Sequence, residues 1–264
     1  VANFNMLSVT YDKLRFLQLA ASRIAGLAKP PEGARVLDAA TGTGEVVVAV
    51  GRMVGMTGSV VGIDIAGDMI ARAREKVEKL SLHNIELYEG DAEHLDFPDQ
   101  RFDCVICASG LFFFSDMTAA LKEFKRVLVP GGMVAFSSFG DTFLQPLRSM
   151  WEARLRHYGL MPAWLPTHRI SNEEKCAAVL DDAGFTQIDV KTEQLGYYMR
   201  SAEERWEDIA AGLEGKPLQE LDPAHREQIR QEHIDELAAL ATDLGIWVDV
   251  PAIFAFGRRP AAAL

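Results

Sequence analysis

The sequence predicts an α/β fold with a mostly parallel sheet and helices on both faces, and two observations lead to that class. From about residue 34 to 139, short strand-like segments alternate with helix-like segments, and this order builds a parallel sheet covered by helices. The first strand also leads through a Gly-rich turn into a helix, and an acidic residue follows or ends each of the first three strands. Such turns gather at one edge of a parallel sheet, where ligands bind in this class of fold.

Apolar periodicity assigns the individual elements of this region. Strands are predicted where apolar residues run together or alternate, and helices where they recur every three or four residues. The predicted strands span 35–38, 59–64, 85–88, 102–108 and 133–139, and the predicted helices span 45–54, 68–79 and 117–128. Another helix precedes them over about 14–27, and Pro130-Gly131-Gly132 is expected to stop the helix that begins at Met117.

The second half of the chain is organised differently. Capping sequences that begin at Ser171 and Ser201 open two helices, Asp222-Pro223 opens a third, and strands are predicted over 186–193 and 253–256. We expect a single domain, 1–264, whose core comprises about 30–139, 175–196 and 246–258. Two inserts, about 140–170 and 197–245, would form an α-helical lid, and they are called the lid inserts below.

The composition excludes several classes of protein. Of 264 residues, 48% are hydrophobic and 25% are charged, as in an ordinary soluble globular protein. The net charge of -11 argues against a nucleic-acid partner, because phosphates require an excess of Lys and Arg. No stretch reaches the roughly 18 apolar residues of a membrane span, and residues 1–10 lack the pattern of a signal peptide. We therefore expect a cytoplasmic protein, either a monomer or a homodimer.

The three cysteines predict no disulfide framework and fit a reducing compartment. Cys104 and Cys107 form a C-x-x-C pair, but the pair lies in a predicted strand, where residues i and i+3 face opposite sides of the sheet. We interpret both as core cysteines and expect no metal site.

The sequence from Asp38 to Glu45, DAATGTGE, holds the most informative motif. Its glycines let a ligand touch backbone N–H groups at the carboxyl edge of the sheet. Asp64 ends the next strand, 20 residues after Gly44, where a carboxylate can accept both hydroxyls of a ribose. Asp91 follows the third strand, so three acids outline a crevice of nucleoside size. The alternative interpretation of these acids is ordinary helix capping.

Two features favour a sulfonium nucleoside over a dinucleotide as the ligand of this crevice. The dinucleotide fingerprint G-x-G-x-x-G is incomplete, because Val47 occupies its third glycine position. A pyrophosphate would also be repelled by Asp38, whereas S-adenosylmethionine carries an amino group and a sulfonium that an acid attracts.

These motifs resemble those of the class I S-adenosylmethionine-dependent methyltransferases, nearest to the subgroup of ubiquinone/menaquinone biosynthesis C-methyltransferases and related small-molecule enzymes. The matching stretches are 36–44, 62–65, 89–92, 102–103 and 121–132, in that order. The likeness implies a Rossmann-like, seven-stranded sheet, with S-adenosyl-L-methionine as cofactor and S-adenosyl-L-homocysteine as product. Ala40 departs from the family pattern, which has glycine there, and we expect only a slight adjustment of the turn.

The likeness also implies roles for the matching residues. Asp38 and the backbone of the turn would hold the methionine part of the cofactor, Asp64 the ribose hydroxyls, and Asp91 the adenine amino group. The turn residues so predicted are Ala40, Thr41, Gly42 and Gly44. Contacts to the adenine, to the cofactor's amino group or at the pocket entrance are expected from Ile65, Met69, Ala92, Ala108, Ser109 and Tyr11.

The motifs do not identify the methyl acceptor, so that information must lie outside them. Aromatic residues concentrate in the lid inserts and after the fourth strand, which favours a small aromatic or lipophilic acceptor and O- or C-methylation. The residues predicted to contact it are Phe113, Phe143, Trp164, Arg169 and Tyr197. The equally weighted alternative is that the aromatics pack a core of the lid's own. His168 and Tyr158 are the candidates for a general base.

Two functions remain open on the sequence alone. The first is methyl transfer to a small molecule by in-line displacement. The second is a protein of the same fold that binds the cofactor without transferring a methyl group, as a sensor or interaction subunit. The intact set of Asp38, Asp64 and Asp91 favours the first. The sequence ASGL after the fourth strand, where an Asn-Pro-Pro-Tyr motif would stand, argues against methylation of nucleic-acid bases.

Overall fold

The computed structural model describes residues 2–261, with the side chains of residues 2, 3 and 220 excepted. The predicted domain range, 1–264, extends beyond these residues by residue 1 and by 262–264, which lie outside the described part. The helices are α1 (Ala2–Leu7), α2 (Arg15–Ala28), α3 (Glu45–Val54), α4 (Gly67–Lys79), α5 (Met117–Val127), α6 (Leu147–His157), α7 (Glu173–Asp182), α8 (Ala202–Ala211) and α9 (Pro223–Ala238). The strands are β1 (Arg35–Ala39), β2 (Ser59–Asp64), β3 (Ile85–Glu89), β4 (Phe102–Cys107), β5 (Leu128–Phe139), β6 (Thr186–Gln194), β7 (Tyr197–Met199), β8 (Ile246–Val248) and β9 (Pro251–Arg258).

Seven of these strands form one sheet in the order β3-β2-β1-β4-β5-β9-β6. The first five are parallel, and β9 lies between β5 and β6 and runs antiparallel to both. This arrangement confirms the predicted fold, a Rossmann-like, seven-stranded and mostly parallel sheet. The strand order reverses at β1 and β4, so the turns after these two strands diverge and leave a crevice at the carboxyl edge.

Burial explains why these segments are strands. In β1, β2 and β4 nearly every residue is buried, because helices cover both faces of the sheet. The edge strand β6 instead alternates between exposed and half-buried residues. Cys104 and Cys107 pack into different core clusters on opposite faces of the sheet, which confirms their interpretation as core cysteines.

Two predicted boundaries differ from the structure. Helix α5 ends at Val127, before the Pro-Gly-Gly sequence, and β5 begins at once. The Gly131 N–H donates to the Arg259 carbonyl and the Arg259 N–H to the Gly132 carbonyl, so the glycines extend the strand. At α7 the N-cap is Asn172, whose side chain accepts from the Lys175 N–H, in place of the expected Ser171.

The lid inserts carry a second small sheet and a core of their own. Strand β8 pairs with β7 in the two-stranded sheet, so the predicted core range 246–258 includes three residues that pair outside the main sheet. Apolar side chains of α6, α8, α9 and a 3-10 helix, Leu213–Glu220, form a separate cluster. Its buried members are Trp151, Leu155, Ile209, Leu218 and Ile229. Within residues 2–261, every helix is too short or too polar to cross a lipid bilayer.

Candidate functional site

The turn after β1 brings backbone N–H groups to the carboxyl edge of the sheet. Ala40, Gly42 and Gly44 have left-handed φ angles of 57°, 56° and 90°, a conformation that glycine adopts without strain. Ala40 therefore keeps a glycine-like backbone although it carries a methyl group. A Cβ atom on Gly110 would lie 2.9 Å from the Ala40 Cβ, so the missing side chain of Gly110 makes room for that methyl group.

Asp38 lies at the bottom of this turn and is 1% exposed. One carboxylate oxygen accepts a hydrogen bond of 2.5 Å from the Thr41 hydroxyl. The other, Oδ1, has no partner within the described residues. Burial raises the pKa of Asp38 to about 7, against the smaller opposing effect of the Thr41 hydrogen bond. A buried carboxylate oxygen without a partner is costly unless a ligand supplies a donor, and an ammonium group is the donor that fits it.

Asp64, at the end of β2, and Asp91, just after β3, lie at the same edge of the sheet. The Asp64 carboxylate accepts from the Gly42 N–H at 2.8 Å and from the Ala66 N–H at 2.9 Å. Burial raises the pKa of Asp64, and these two hydrogen bonds oppose the rise. The Asp91 carboxylate accepts from the Glu93 N–H at 2.9 Å. Neither carboxylate is a helix N-cap, because the N-cap of α4 is Ala66 and a turn, not a helix, follows Asp91. Each carboxylate oxygen can accept a second hydrogen bond, so both side chains can also bind a ligand.

Ten of the thirteen residues predicted for the cofactor line one cavity of about 260 Å³, called the cofactor cavity below. These are Tyr11, Ala40, Gly42, Asp64, Ile65, Met69, Asp91, Ala92, Ala108 and Ser109. Asp38 and Thr41 line a smaller adjoining cavity of about 40 Å³, together with Tyr11 and Ser109. The sequence reasoning did not identify Phe4, Glu93 and Phe114, which also line the cofactor cavity.

Gly44 was expected at the cofactor, but it lines neither of these cavities. A Cβ atom on Gly44 would lie 3.1 Å from the Ala73 Cβ. Glycine at this position therefore allows the close packing of α3 against α4, and a cofactor contact from Gly44 stays a prediction.

Tyr11 covers the turn from the N-terminal side, at the start of a 3-10 helix, Tyr11–Lys13. Its Cε1 atom lies 3.6 Å from the point that a Cβ atom on Gly42 would occupy. Asp12 accepts from the Thr43 hydroxyl and pairs with Lys76 Nζ at 3.0 Å, which fastens this segment over the turn. Burial, with the nearby Asp64 carboxylate, raises the pKa of the Tyr11 phenol, so the phenol stays protonated.

A second cavity, of about 70 Å³, adjoins the first and is called the apolar cavity below. Phe4, Tyr11, Ser109 and Phe113 line both cavities and so form their shared wall. The remaining wall is largely aromatic and aliphatic, with Phe16, Phe112, Phe139, Phe143, Leu144 and Leu165 among its residues. The rings of Phe139 and Phe143 are stacked, with centroids 4.1 Å apart.

Few polar side chains reach the apolar cavity, and the lid supplies most of them. They include Thr167, Asp208 and Glu214. Both Glu214 oxygens accept from Arg205 at 2.8 Å, and Arg205 itself is fully buried. Burial raises the pKa of Asp208 to about 6. The sequence does not single out Asp208, because α8 carries several acids and no local pattern distinguishes the one that lines a cavity.

The two candidates for a general base lie away from both cavities. His168 is exposed, and its backbone carbonyl accepts from Lys175 Nζ at 2.8 Å. The Tyr158 hydroxyl donates to Glu232 at 2.7 Å, and its ring packs on the separate lid core. Neither side chain lines the cofactor cavity or the apolar cavity. The structure therefore gives neither side chain a place at these cavities, and a catalytic role for either stays a prediction.

Of the five residues predicted for the acceptor, only Phe113 and Phe143 line the apolar cavity. Arg169 donates to the backbone carbonyls of Phe112, Phe114 and Ser115, so it fixes the loop after β4. Trp164 is 65% exposed and meets Phe113 edge to face. Tyr197 is buried in β7 with the Arg15 guanidinium 4.4 Å above its ring, and it lines neither cavity. The lid therefore combines both interpretations, with part of it facing the cavity and part forming its own core.

Three comparisons with known proteins bear on this site. A family described as a methyltransferase domain matches residues 36–132. The chain is 32% identical over 173 residues to the ubiquinone/menaquinone biosynthesis C-methyltransferase UbiE of Escherichia coli, covering 60% of this chain and 68% of that protein. The chain belongs to the class I S-adenosylmethionine-dependent methyltransferases. It is therefore an enzyme whose cofactor is S-adenosyl-L-methionine, and the alternative of a non-catalytic protein is not retained.

Solved structures of this fold agree with the architecture of the methyltransferase. The chain is similar to the YcgJ protein of Bacillus subtilis, with a TM-score of 0.63 at 20% identity and coverage of 92% of this chain and 99% of that one. It is also similar to a SAM-dependent methyltransferase of Aquifex aeolicus, with a TM-score of 0.56 at 19% identity and coverage of 92% and 91%. At these identities the likeness concerns the fold.

The residues at the sheet edge fit this cofactor. S-adenosyl-L-methionine carries an ammonium group, and the unpartnered Asp38 oxygen beside the Gly-rich turn is an acceptor for such a group. The cofactor cavity combines carboxylates with apolar walls from Ile65 and Met69, as a nucleoside requires. Among the described residues, no group of three His, Cys, Asp or Glu side chains is arranged to hold a metal ion.

Proposed function

We propose that the methyltransferase acts on a small aromatic or lipophilic acceptor that binds in the apolar cavity, and that it methylates a ring carbon. The observation that carries this proposal is the shared wall of Phe4, Tyr11, Ser109 and Phe113. A molecule in the apolar cavity lies directly beside the cofactor cavity. Preference for carbon over oxygen is supported by the similarity to a C-methyltransferase.

We assign the cofactor contacts as follows. Asp38 accepts from the amino group, Asp64 from the ribose hydroxyls, and Asp91 from the adenine amino group. Ile65 and Met69 pack on the adenine, and the Ala92 N–H donates to a ring nitrogen. The positions of these residues around the cavities support the assignments. When bound, S-adenosyl-L-methionine supplies a methyl group that is already activated on its sulfonium.

The protein's part in the reaction is then alignment and the exclusion of water. Tyr11 and Phe113 lie at the boundary between the cavities, and the stacked Phe139 and Phe143 rings form part of the aromatic wall of the apolar cavity. Holding two reactants in line can lower a barrier by roughly 7–11 kcal/mol. This contribution needs no strong acid or base at the methyl group itself.

An assay with isotopically labelled S-adenosyl-L-methionine and a panel of phenols, naphthols and aliphatic amines tests the proposal. We expect label in products of the aromatic acceptors, with mass spectrometry locating it on ring carbon. The Asp64→Ala variant serves as the control with weakened cofactor affinity. Turnover of the amines alone, or label on oxygen alone, would contradict the proposed acceptor or the proposed atom respectively.

A further inference from the structure

The apolar cavity contains one carboxylate whose partner the described residues do not supply. Asp208 lies on α8 and lines this cavity, and within residues 2–261 its carboxylate makes no hydrogen bond or ion pair. The other acid of the cavity, Glu214, is fully engaged with Arg205. The Ser109 hydroxyl meets that of Ser137 at 3.2 Å. Asp208 is thus the free acceptor in a wall made mostly of phenylalanine and leucine.

The position of Asp208 in the cavity is as informative as its charge. It lines the apolar cavity but not the cofactor cavity, whereas Tyr11 and Phe113 line both. A ring that fills the apolar cavity therefore lies against the wall shared with the cofactor cavity and also against Asp208. The proton acceptor is therefore separate from the methyl donor, because Asp208 lies outside the cofactor cavity.

We propose that Asp208 is a catalytic residue that removes the hydroxyl proton of a hydroxylated aromatic acceptor, which makes the ring carbons ortho and para to that hydroxyl nucleophilic. This inference rests on the proposed function and names the residue and the acceptor's functional group. The carboxylate takes the hydroxyl proton as the new carbon–methyl bond forms and the methyl–sulfur bond breaks, with the electron pair left on sulfur. The dienone so formed regains its hydroxyl proton from Asp208 while the methylated carbon releases its own proton to water.

The surroundings of Asp208 suit a base that works near neutral pH. Burial is the largest influence on its pKa, and Arg205 opposes the rise. The acids that raise it further are Glu214, Glu204 and Glu207, and the Tyr197 phenol lies close enough that Asp208 raises the pKa of that group. A base is most effective when its pKa lies near the working pH.

The first test uses binding and requires no turnover. Protein saturated with S-adenosyl-L-homocysteine is titrated with 2-naphthol and with naphthalene, which differs only in lacking the hydroxyl. We expect wild type to prefer 2-naphthol by about tenfold, roughly 1.4 kcal/mol, and Asp208→Leu to lose that preference. Glu203→Gln, at an exposed acid of the same helix, is the matched control and should keep it. Equal binding of both probes by wild type would overturn the role of Asp208, while binding of neither would instead overturn the apolar acceptor.

The second test separates proton removal from positioning. Asp208→Asn still accepts a hydrogen bond but cannot take a proton, so we expect an unchanged KM for the acceptor and a kcat lower by about a hundredfold. In wild type kcat should rise with pH through about 6, since the ionised carboxylate is the active form, and this rise should vanish in Asp208→Asn. A kcat within twofold of wild type, with the rise intact, would overturn the proposal.

Discussion

The two walls of the site differ in how the chain builds them. The cofactor wall consists mainly of the turns that follow β1, β2, β3 and β4, with Phe4 and Tyr11 added from the N-terminal segment and Met69 from α4. Its polar groups are largely backbone N–H groups and the acids beside them. The acceptor wall combines N-terminal residues with the loop after β4 and with parts of the lid inserts, including α8. The first wall is set by local sequence around a rigid sheet, and the second by contacts between segments up to two hundred residues apart, such as Thr10 to Ala211.

The largest expected effect tests the cofactor wall at its buried acid. Asp38→Asn should weaken S-adenosyl-L-homocysteine binding by about a hundredfold, since it replaces a charge-assisted hydrogen bond by a neutral one. Calorimetry measures the affinity. Thr41→Val, which removes the hydroxyl but keeps the Asp38 charge, is the control and should cost less.

Because the pKa of Asp38 is raised, Asp38→Asn should also change how the stability of the protein depends on pH. Without ligand, the folded protein holds a proton on Asp38 up to about pH 7, whereas the unfolded chain releases it near pH 4. Stability therefore falls as pH rises between these values. The melting temperature of Asp38→Asn, relative to wild type, should be higher at pH 8 than at pH 5. A difference that does not change with pH would mean that Asp38 is not a strained buried acid.

A smaller loss is expected at Asp64. Asp64→Ala removes the acceptor that we assign to the ribose hydroxyls, together with the bonds from the Gly42 and Ala66 N–H groups. The affinity for S-adenosyl-L-homocysteine should fall at least tenfold, or about 1.4 kcal/mol. Calorimetry with Asp68→Ala, an acid on the adjoining helix, provides the comparison. Unchanged affinity would remove Asp64 from the cofactor site.

Leucine truncations test whether the lid divides into a cavity face and a separate core. Leu165 lines the apolar cavity, and Leu160 packs on the lid core. We expect Leu165→Ala to raise the acceptor KM about fivefold without changing cofactor affinity. Leu160→Ala should lower the melting temperature and leave KM unchanged. A rise in KM for both variants would show that the two parts of the lid act as one.

The smallest effect is expected at Ala40, where the family pattern has glycine. Ala40→Gly removes the strain of an alanine in the left-handed conformation, but it also increases the conformational entropy of the unfolded chain. These opposing effects should leave the free energy of unfolding within about 1 kcal/mol of wild type. Cofactor affinity should stay within twofold, as calorimetry can show. A tenfold change would mean that the Ala40 methyl group itself contacts the ligand.

The contrast between the walls also explains what the sequence could reveal. Asp38, Asp64 and Asp91 were identifiable, because each follows a strand within a few residues of a glycine or a tight turn. Gly44 packs closely against Ala73, and the motif alone does not distinguish a glycine that packs in this way from one that binds a ligand. His233 lies in a polar helix, but its side chain is fully buried beside Trp151. The Arg169 guanidinium donates its hydrogen bonds to backbone carbonyls of the loop after β4. The burial and the partners of such residues depend on contacts with distant parts of the chain, so the local sequence pattern does not predict them.

The N-terminal residues contact both walls, and this has a consequence for how the ligands bind. Leu7 packs with Met69 of the cofactor cavity, and Thr10 donates to the Ala211 carbonyl at the end of α8. Because this segment packs against both walls, each ligand would add contacts that hold it in place, and the entropy lost in fixing it would be shared between the two ligands. We therefore expect positive cooperativity, in which S-adenosyl-L-homocysteine tightens acceptor binding and the acceptor tightens cofactor binding by the same factor.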